Sequence, residues 1–267
     1  MAAPVSPHER LVADGLLLDM DGVLSVSWDP LPGAVQALAE LHAAGVPMRV
    51  LTNTTSRSRA TIAAALRRSG FSFADEEVLT AAVAAGAYLR EQHPGARVFL
   101  FGDAQPADLE DVRLVRLEED AELVLVAGAD ASFTYEALNR VYRTLLGGAA
   151  LVATHRTLSW MTRDGACLDA GAYLLGLERA LGRTAVITGK PAPQFFAAGL
   201  QALGLPAERV AMVGDDLDND VLAAQAAGIA GVLVRTGKFC EEDLVRGAGA
   251  PHHVIDSVAD LPRLLGL

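Results

Sequence analysis

The sequence predicts an α/β protein: a Rossmann-like core on a mainly parallel sheet, interrupted by an inserted second α/β domain. Three observations carry this. Strand-length apolar runs rich in Val and Leu recur along the whole chain without polar alternation, as expected for strands covered on both faces. Stretches of helical period separate them, the alternation that builds a parallel sheet. Finally, Lys190 stands 138 positions after Thr52, two polar positions that each follow an apolar run, and that length holds a complete further domain.

The runs cover 15–18, 46–51, 98–101, 123–126, 149–153, 186–188, 210–213 and 231–234. Between them Val35, Leu38 and Leu41 repeat at helical spacing, as do Ile62 and Leu66, Leu138, Val141 and Leu145, and Leu174, Leu177 and Leu181. Tyr135 begins a predicted helix. No repeat of fixed period and no low-complexity linker interrupts the pattern.

Composition narrows the function classes. Of 267 residues 51% are hydrophobic and 21% charged, enough apolar surface for a sizeable core and incompatible with a disordered or fibrous chain. The formal net charge of −11 argues against nucleic-acid binding, which needs clustered Lys and Arg. Two cysteines, Cys167 and Cys240, are too few for a disulfide framework and point to a reducing compartment. The first ten residues lack the basic and apolar regions of a signal peptide, and no run approaches the roughly 18 apolar residues of a membrane span. A soluble, cytoplasmic protein with no membrane partner is expected.

In open parallel sheets ligands bind beyond the carboxyl ends of the strands, and there the polar chemistry gathers. One run ends in Asp19-Met-Asp21-Gly22, another in Thr52-Asn53-Thr54-Thr55, a third in Gly214-Asp215-Asp216, and the run 186–188 precedes Gly189-Lys190-Pro191. If these strands share one sheet, their tips place carboxylates, hydroxyls and a lysine on one rim. Paired carboxylates with a carbonyl between them suit a hard cation such as Mg2+. Asp215, Asp216 and Asp220 add more negative charge than a site could hold unpaired, and Lys190 and a divalent ion would offset it. Metal, lysine and the Thr52 hydroxyl would cradle a phosphoryl group. One aspartate could then attack phosphorus while its neighbour handles the leaving-group proton. The bland alternatives are a surface turn at Asp19–Gly22, an acidic helix start at 215–220, a solvated Lys190 and a capping Thr52.

The stretches Leu18-Asp-Met-Asp-Gly-Val-Leu24, Leu51-Thr-Asn-Thr-Thr55, Gly189-Lys-Pro191 and Val213-Gly-Asp-Asp-Leu-Asp-Asn-Asp-Val221 resemble, in order, the four signatures of the haloacid dehalogenase superfamily of phosphatases. The resemblance extends over nearly the whole chain to subclass IIA, the nitrophenyl-phosphatase-like branch, through Phe133-Thr-Tyr135 with Leu138-Asn139 and through Val234-Arg-Thr-Gly-Lys-Phe239. With Thr52-Asn-Thr-Thr55 and Gly165-Ala-Cys-Leu-Asp-Ala-Gly171 it is most similar to the phospholysine phosphohistidine inorganic pyrophosphate phosphatase subgroup. It implies a core of 1–78 plus 186–267 and an α/β cap of 79–185. It also implies Asp19 as nucleophile, Asp21 as general acid/base, Thr52, Asn53 and Lys190 as phosphoryl ligands, and Mg2+ held by Asp19, the Asp21 carbonyl and Asp215, with Asp216 and Asp220 behind them. After Ala153 the chain departs from the branch, running Thr154-His-Arg-Thr-Leu-Ser-Trp160, so substrates do not carry over.

A cap would exclude water and read the leaving group, with Arg156, Trp160 and Arg163 as readers by charge and stacking. The expected activity is phosphoric monoester hydrolysis, extending to pyrophosphate or phosphoramidates, with a small phosphorylated metabolite as partner; a homodimer is compatible with it. The rival is a phosphate-binding or phosphorylatable regulatory protein with little turnover, and the presence of Asp21 favours the enzyme. A phosphonate hydrolase would ask for a cap lysine, and 79–185 has none. No Gly-x4-Gly-Lys-Ser/Thr loop suggests a kinase.

Overall fold

The computed structural model describes residues 10–162, 165–245 and 249–267. The chain divides into two compact units: the first is Met1–Thr52, Ala60–Leu79 and Lys190–Leu267, the second Asn53–Arg59 and Thr80–Gly189. In chain order the main strands are β1 (Gly15–Leu18), β2 (Met48–Thr52), β3 (Val78–Thr80), β4 (Val98–Phe101), β5 (Leu114–Val115), β6 (Leu123–Val126), β7 (Ala150–Ala153), β8 (Ser159–Thr162), β9 (Gly165–Leu168), β10 (Val186–Ile187), β11 (Val210–Gly214), β12 (Ala230–Val234) and β13 (His253–Ile255).

One sheet has the order β13-β12-β11-β1-β2-β3, with β1 parallel to both β11 and β2, so Leu18 faces Val213 on one side and Val50 on the other. β1 and β11 are buried along their whole length, which explains their unbroken apolar runs. Leu16, Leu18, Val50, Val213 and Val232 share one core with Leu38, Leu41, Ile62 and Leu66, residues of the helices Ala34–Ala43 and Arg59–Arg68. The other sheet has the order β10-β7-β6-β4-β5, with each strand parallel to its neighbours. Its core joins Val124, Val126, Leu151 and Ala153 to Val141, Leu145, Leu174 and Leu177. Helix Tyr135–Leu146 is capped by the Thr134 hydroxyl, which accepts from the Ala137 N–H.

The run 186–188 is a correction to the expected single rim. Val186–Ile187 pairs with Val152 and Ala153 in the second sheet, so the first unit resumes at Lys190 and not at 186. The second unit also takes in Asn53–Arg59. Inside it the Asp108 carboxylate accepts the Arg59 N–H at 3.1 Å and the Thr80 hydroxyl at 2.9 Å, and the Thr55 hydroxyl accepts the Gly128 N–H. Ser159–Thr162 and Gly165–Leu168, which are not among the apolar runs of the sequence, pair antiparallel as β8 and β9. No helix among the described residues is long and apolar enough to cross a membrane.

Leu17 is fully buried in β1. Leu17→Ala should cost about 2–5 kcal/mol of stability, read as a fall in urea midpoint; a midpoint within error of the wild type would contradict this account of the sheet.

Candidate active site

The site grows from the ends of β1 and β11. The Asp19 N–H donates to the Val213 carbonyl at 2.9 Å, extending the ladder one residue and fixing where its buried carboxylate begins. Beyond it the chain turns tightly: the N–H groups of Leu24 and Ser25 donate to the Met20 carbonyl, and that of Gly22 donates to the Ser25 carbonyl. This leaves Asp21 exposed on the turn. Thr52 closes β2 and is buried. Past β11, the Asp216 carboxylate caps the π-helical turn Leu217–Leu222, accepting from the Asn219 backbone and side chain. That turn brings Asp220 back towards β11.

Four ionisable groups meet here almost without solvent: Asp19 is 7% exposed, Lys190 3%, Asp215 2% and Asp220 1%. The Lys190 Nζ lies 2.6 Å from Asp19 Oδ1 and 2.7 Å from Asp220 Oδ1. One carboxylate oxygen each from Asp19, Asp215 and Asp220 lies within 4.8 Å of the others. Burial opposes the charge on Lys190, but Asp19 and Asp220 outweigh it and hold the ammonium above the ordinary lysine range. Burial, then the charges of Asp19 and Asp220, pushes Asp215 up to about 8. Burial likewise raises Asp220 to about 7, against the pull of Lys190.

Asp215 is gripped on one oxygen. Its Oδ2 accepts the Lys238 N–H at 2.7 Å, and the Thr236 hydroxyl donates to the Gly22 carbonyl at 2.5 Å. Gly22 and Gly237 both have positive φ, and a Cβ on either would collide with the Asp215 carboxylate, so only glycine fits both positions. The other oxygen, Asp215 Oδ1, is buried with no hydrogen-bond partner. A carboxylate with an orphaned oxygen, clustered with two further carboxylates, is the donor set of a hard divalent cation, and these residues fit Mg2+. Sequence reasoning quoted 234–239 only as part of a resemblance. Its one chemical signal was Gly237 between a hydroxyl and a lysine.

The profile of haloacid dehalogenase-like hydrolases matches residues 16–114, and an HAD-hydrolase-like profile matches 187–261. Haloacid dehalogenase-like hydrolase domain-containing protein 2 of Bos taurus is 33% identical over 248 residues, covering 93% of this chain and 94% of its own. The chain belongs to the haloacid dehalogenase-like hydrolase family. Phospholysine phosphohistidine inorganic pyrophosphate phosphatase of Homo sapiens is also 33% identical, over 94% of this chain and 93% of its own. Among solved structures, p-nitrophenyl phosphatase from Archaeoglobus fulgidus superposes with a TM-score of 0.87 at 29% identity, covering 97% of this chain and all of that one. The two profile matches together contain Asp19, Asp21, Thr52, Lys190, Asp215, Asp216 and Asp220.

The remaining expected site residues of this hydrolase lie in the second unit. Arg156 is committed to structure there: its Nη1 and Nη2 donate to both oxygens of buried Glu178 at 2.6 and 2.7 Å, a bidentate pair. This pair holds both terminal nitrogens of the residue expected to read the leaving group. Asn53 stands beside Gly189, where an added Cβ would meet its Oδ1 at 2.5 Å. Trp160 is half-exposed on β8, opposite Cys167. Arg163 lies outside the described residues.

The raised carboxyls make metal-free stability fall with pH. A group whose folded pKa exceeds its unfolded value of about 4 binds more protons folded, so its stabilisation is present at low pH and lost as pH rises through about 7 to 8. With EDTA the Tm should therefore drop between pH 5 and pH 9, and Mg2+ should raise it more at the alkaline end. A Tm rising with pH across that range would contradict the assignment.

Proposed function

We propose that this chain is a Mg2+-dependent phosphatase that hydrolyses small phosphorylated metabolites through an aspartyl-phosphate on Asp19. One observation carries the reading: a buried ammonium bridges two carboxylates beside a third with an orphaned oxygen. Phosphatases among the relatives and structural neighbours support it.

In this reading Asp19, the Asp21 carbonyl and Asp215 would hold Mg2+. When bound, the ion would offset negative charge on the carboxylates and on the phosphoryl oxygens. Lys190 keeps the Asp19 carboxylate oriented at 2.6 Å and presents positive charge to the equatorial oxygens. An Asp19 oxygen attacks phosphorus, the bond from phosphorus to the leaving oxygen breaks, and Asp21 gives that oxygen its proton. Asp21 then takes a proton from water, the water oxygen attacks the acyl phosphate, and inorganic phosphate leaves with the Asp19 carboxylate restored. The exposed turn position of Asp21 suits a group that exchanges protons with solvent. Thr52, at the end of β2, donates to a phosphoryl oxygen.

The test uses p-nitrophenyl phosphate, pyrophosphate and a phosphoramidate with Mg2+. Asp19→Asn should abolish turnover and the acid-quenched phosphoryl adduct on the peptide containing residue 19. Asp21→Asn should lower steady-state hydrolysis by about 10²–10⁴-fold, and EDTA should stop the wild type. Undiminished turnover in Asp19→Asn would refute the nucleophile.

A further inference from the structure

Of 22 basic Lys and Arg residues only two are lysines, Lys190 and Lys238. Every other cation in the chain is arginine. Both lysines stand at the same acidic centre: Lys190 is buried within it, and the Lys238 backbone N–H holds Asp215 Oδ2. We propose that the Lys238 ammonium is a substrate-binding group for the phosphoryl dianion, a second cation beside Lys190. This rests on the phosphatase reading above.

The root and the tip of this side chain are treated differently by the fold. The root is fixed: Gly237 packs against Gly22, where an added Cβ would come within 2.6 Å of the Gly22 Cα, and Thr236 is tied to the Gly22 carbonyl. Phe239 closes the turn through its N–H to the Thr236 carbonyl at 3.3 Å, and the Arg235 guanidinium lies 5.3 Å from the Phe239 ring centroid. The tip is loose. Its side chain is 51% exposed, and its Nζ stands 3.9 Å from Asp216 Oδ2, a carboxylate already occupied by Asn219.

Charge balance and residue type agree with the role. Asp19, Asp215, Asp216 and Asp220 oppose a single buried ammonium, so even a bound divalent ion leaves the centre poorly disposed to an incoming dianion. Another cation at the rim corrects that. An arginine would lock its planar fork onto a neighbouring carboxylate, whereas lysine is a compact charge on a flexible stem that can leave Asp216 for a phosphoryl oxygen. The bland reading, a solvated surface lysine, does not account for a chain whose two lysines both stand at this centre while its other Lys/Arg positions are all arginine.

Three variants of the full-length protein test this: Lys238→Ala, Lys238→Met, which keeps the apolar stem, and Lys238→Arg. The readouts are kcat and KM for p-nitrophenyl phosphate, and the affinity for inorganic phosphate by calorimetry with Mg2+. Loss of one charge-assisted contact should raise KM and weaken phosphate binding by about tenfold each in the Ala and Met variants, with kcat within about threefold of wild type. Lys238→Arg should recover part of the affinity. An unchanged Tm would separate this from unfolding, as the half-exposed side chain allows. KM and phosphate affinity both within twofold of wild type would overturn the proposal, as would a loss confined to kcat. Absence of turnover in the wild type would instead strike the phosphatase reading, while phosphate affinity would still report on Lys238.

Discussion

A buried ammonium held between two buried carboxylates is the constraint on which the site depends. Lys190 pairs with Asp19, 171 residues away in sequence, and with Asp220. None of these groups is placed there by local propensity. An isolated charge in that environment would neutralise or draw in water. The three are tolerable together because each supplies the partner another lacks, and removal of one leaves the others uncompensated. The parallel sheet makes the convergence possible. β1 and β11 are adjacent and parallel with Leu18 opposite Val213, so Asp19 and Asp215 follow neighbouring strand ends, Asp215 one residue further along, and the turn 217–222 returns Asp220 to meet them.

Around that triad the fold leaves one oxygen of Asp215 without a partner while securing the other. The asymmetry is built by backbone: two glycines with positive φ allow the turns at 22 and 237 to close on the carboxylate, and a main-chain N–H takes Oδ2. A side-chain donor in its place could have rotated to satisfy both oxygens. Fixing one through the main chain holds the Asp215 carboxylate in place beside Asp19 and Asp220, where a cation would find three carboxylate oxygens already gathered.

Much of this was legible in the sequence because apolar runs buried on both faces carry a strong signal, and the strand ends could be read from where the runs stop. Asp19, Asp215 and Lys190 were named as one site before their geometry was known. Three features were not legible. Val186–Ile187 is a two-residue strand whose partner, β7, lies outside the first unit, and periodicity says nothing of which sheet accepts a strand. The pairing of Arg156 with Glu178 is another, since Glu178 lies 22 residues on and stands in the sequence only as one charge on a helix. The hairpin 159–168 alternates too little between polar and apolar residues to stand out from a loop.

The turn at 236–238 belongs to a different kind of miss. Its contributions are a main-chain N–H, a hydroxyl reaching a carbonyl and a glycine that permits contact, and such contributions depend on conformation more than on residue type. Only the lysine is chemically distinctive, and its meaning emerges from the composition of the whole chain once its position beside Asp215 is known. A site concentrated in carboxylates runs against stability, as the raised pKa values of Asp215 and Asp220 indicate. The chain tolerates it in part because Asp19 and Asp215 follow strands that are themselves fully buried and apolar, so the unlike chemistry begins only past their last residues. Lys190 and Asp220 arrive from outside those strands, and the ion pairs of Lys190 with Asp19 and with Asp220 fix them against the strand ends.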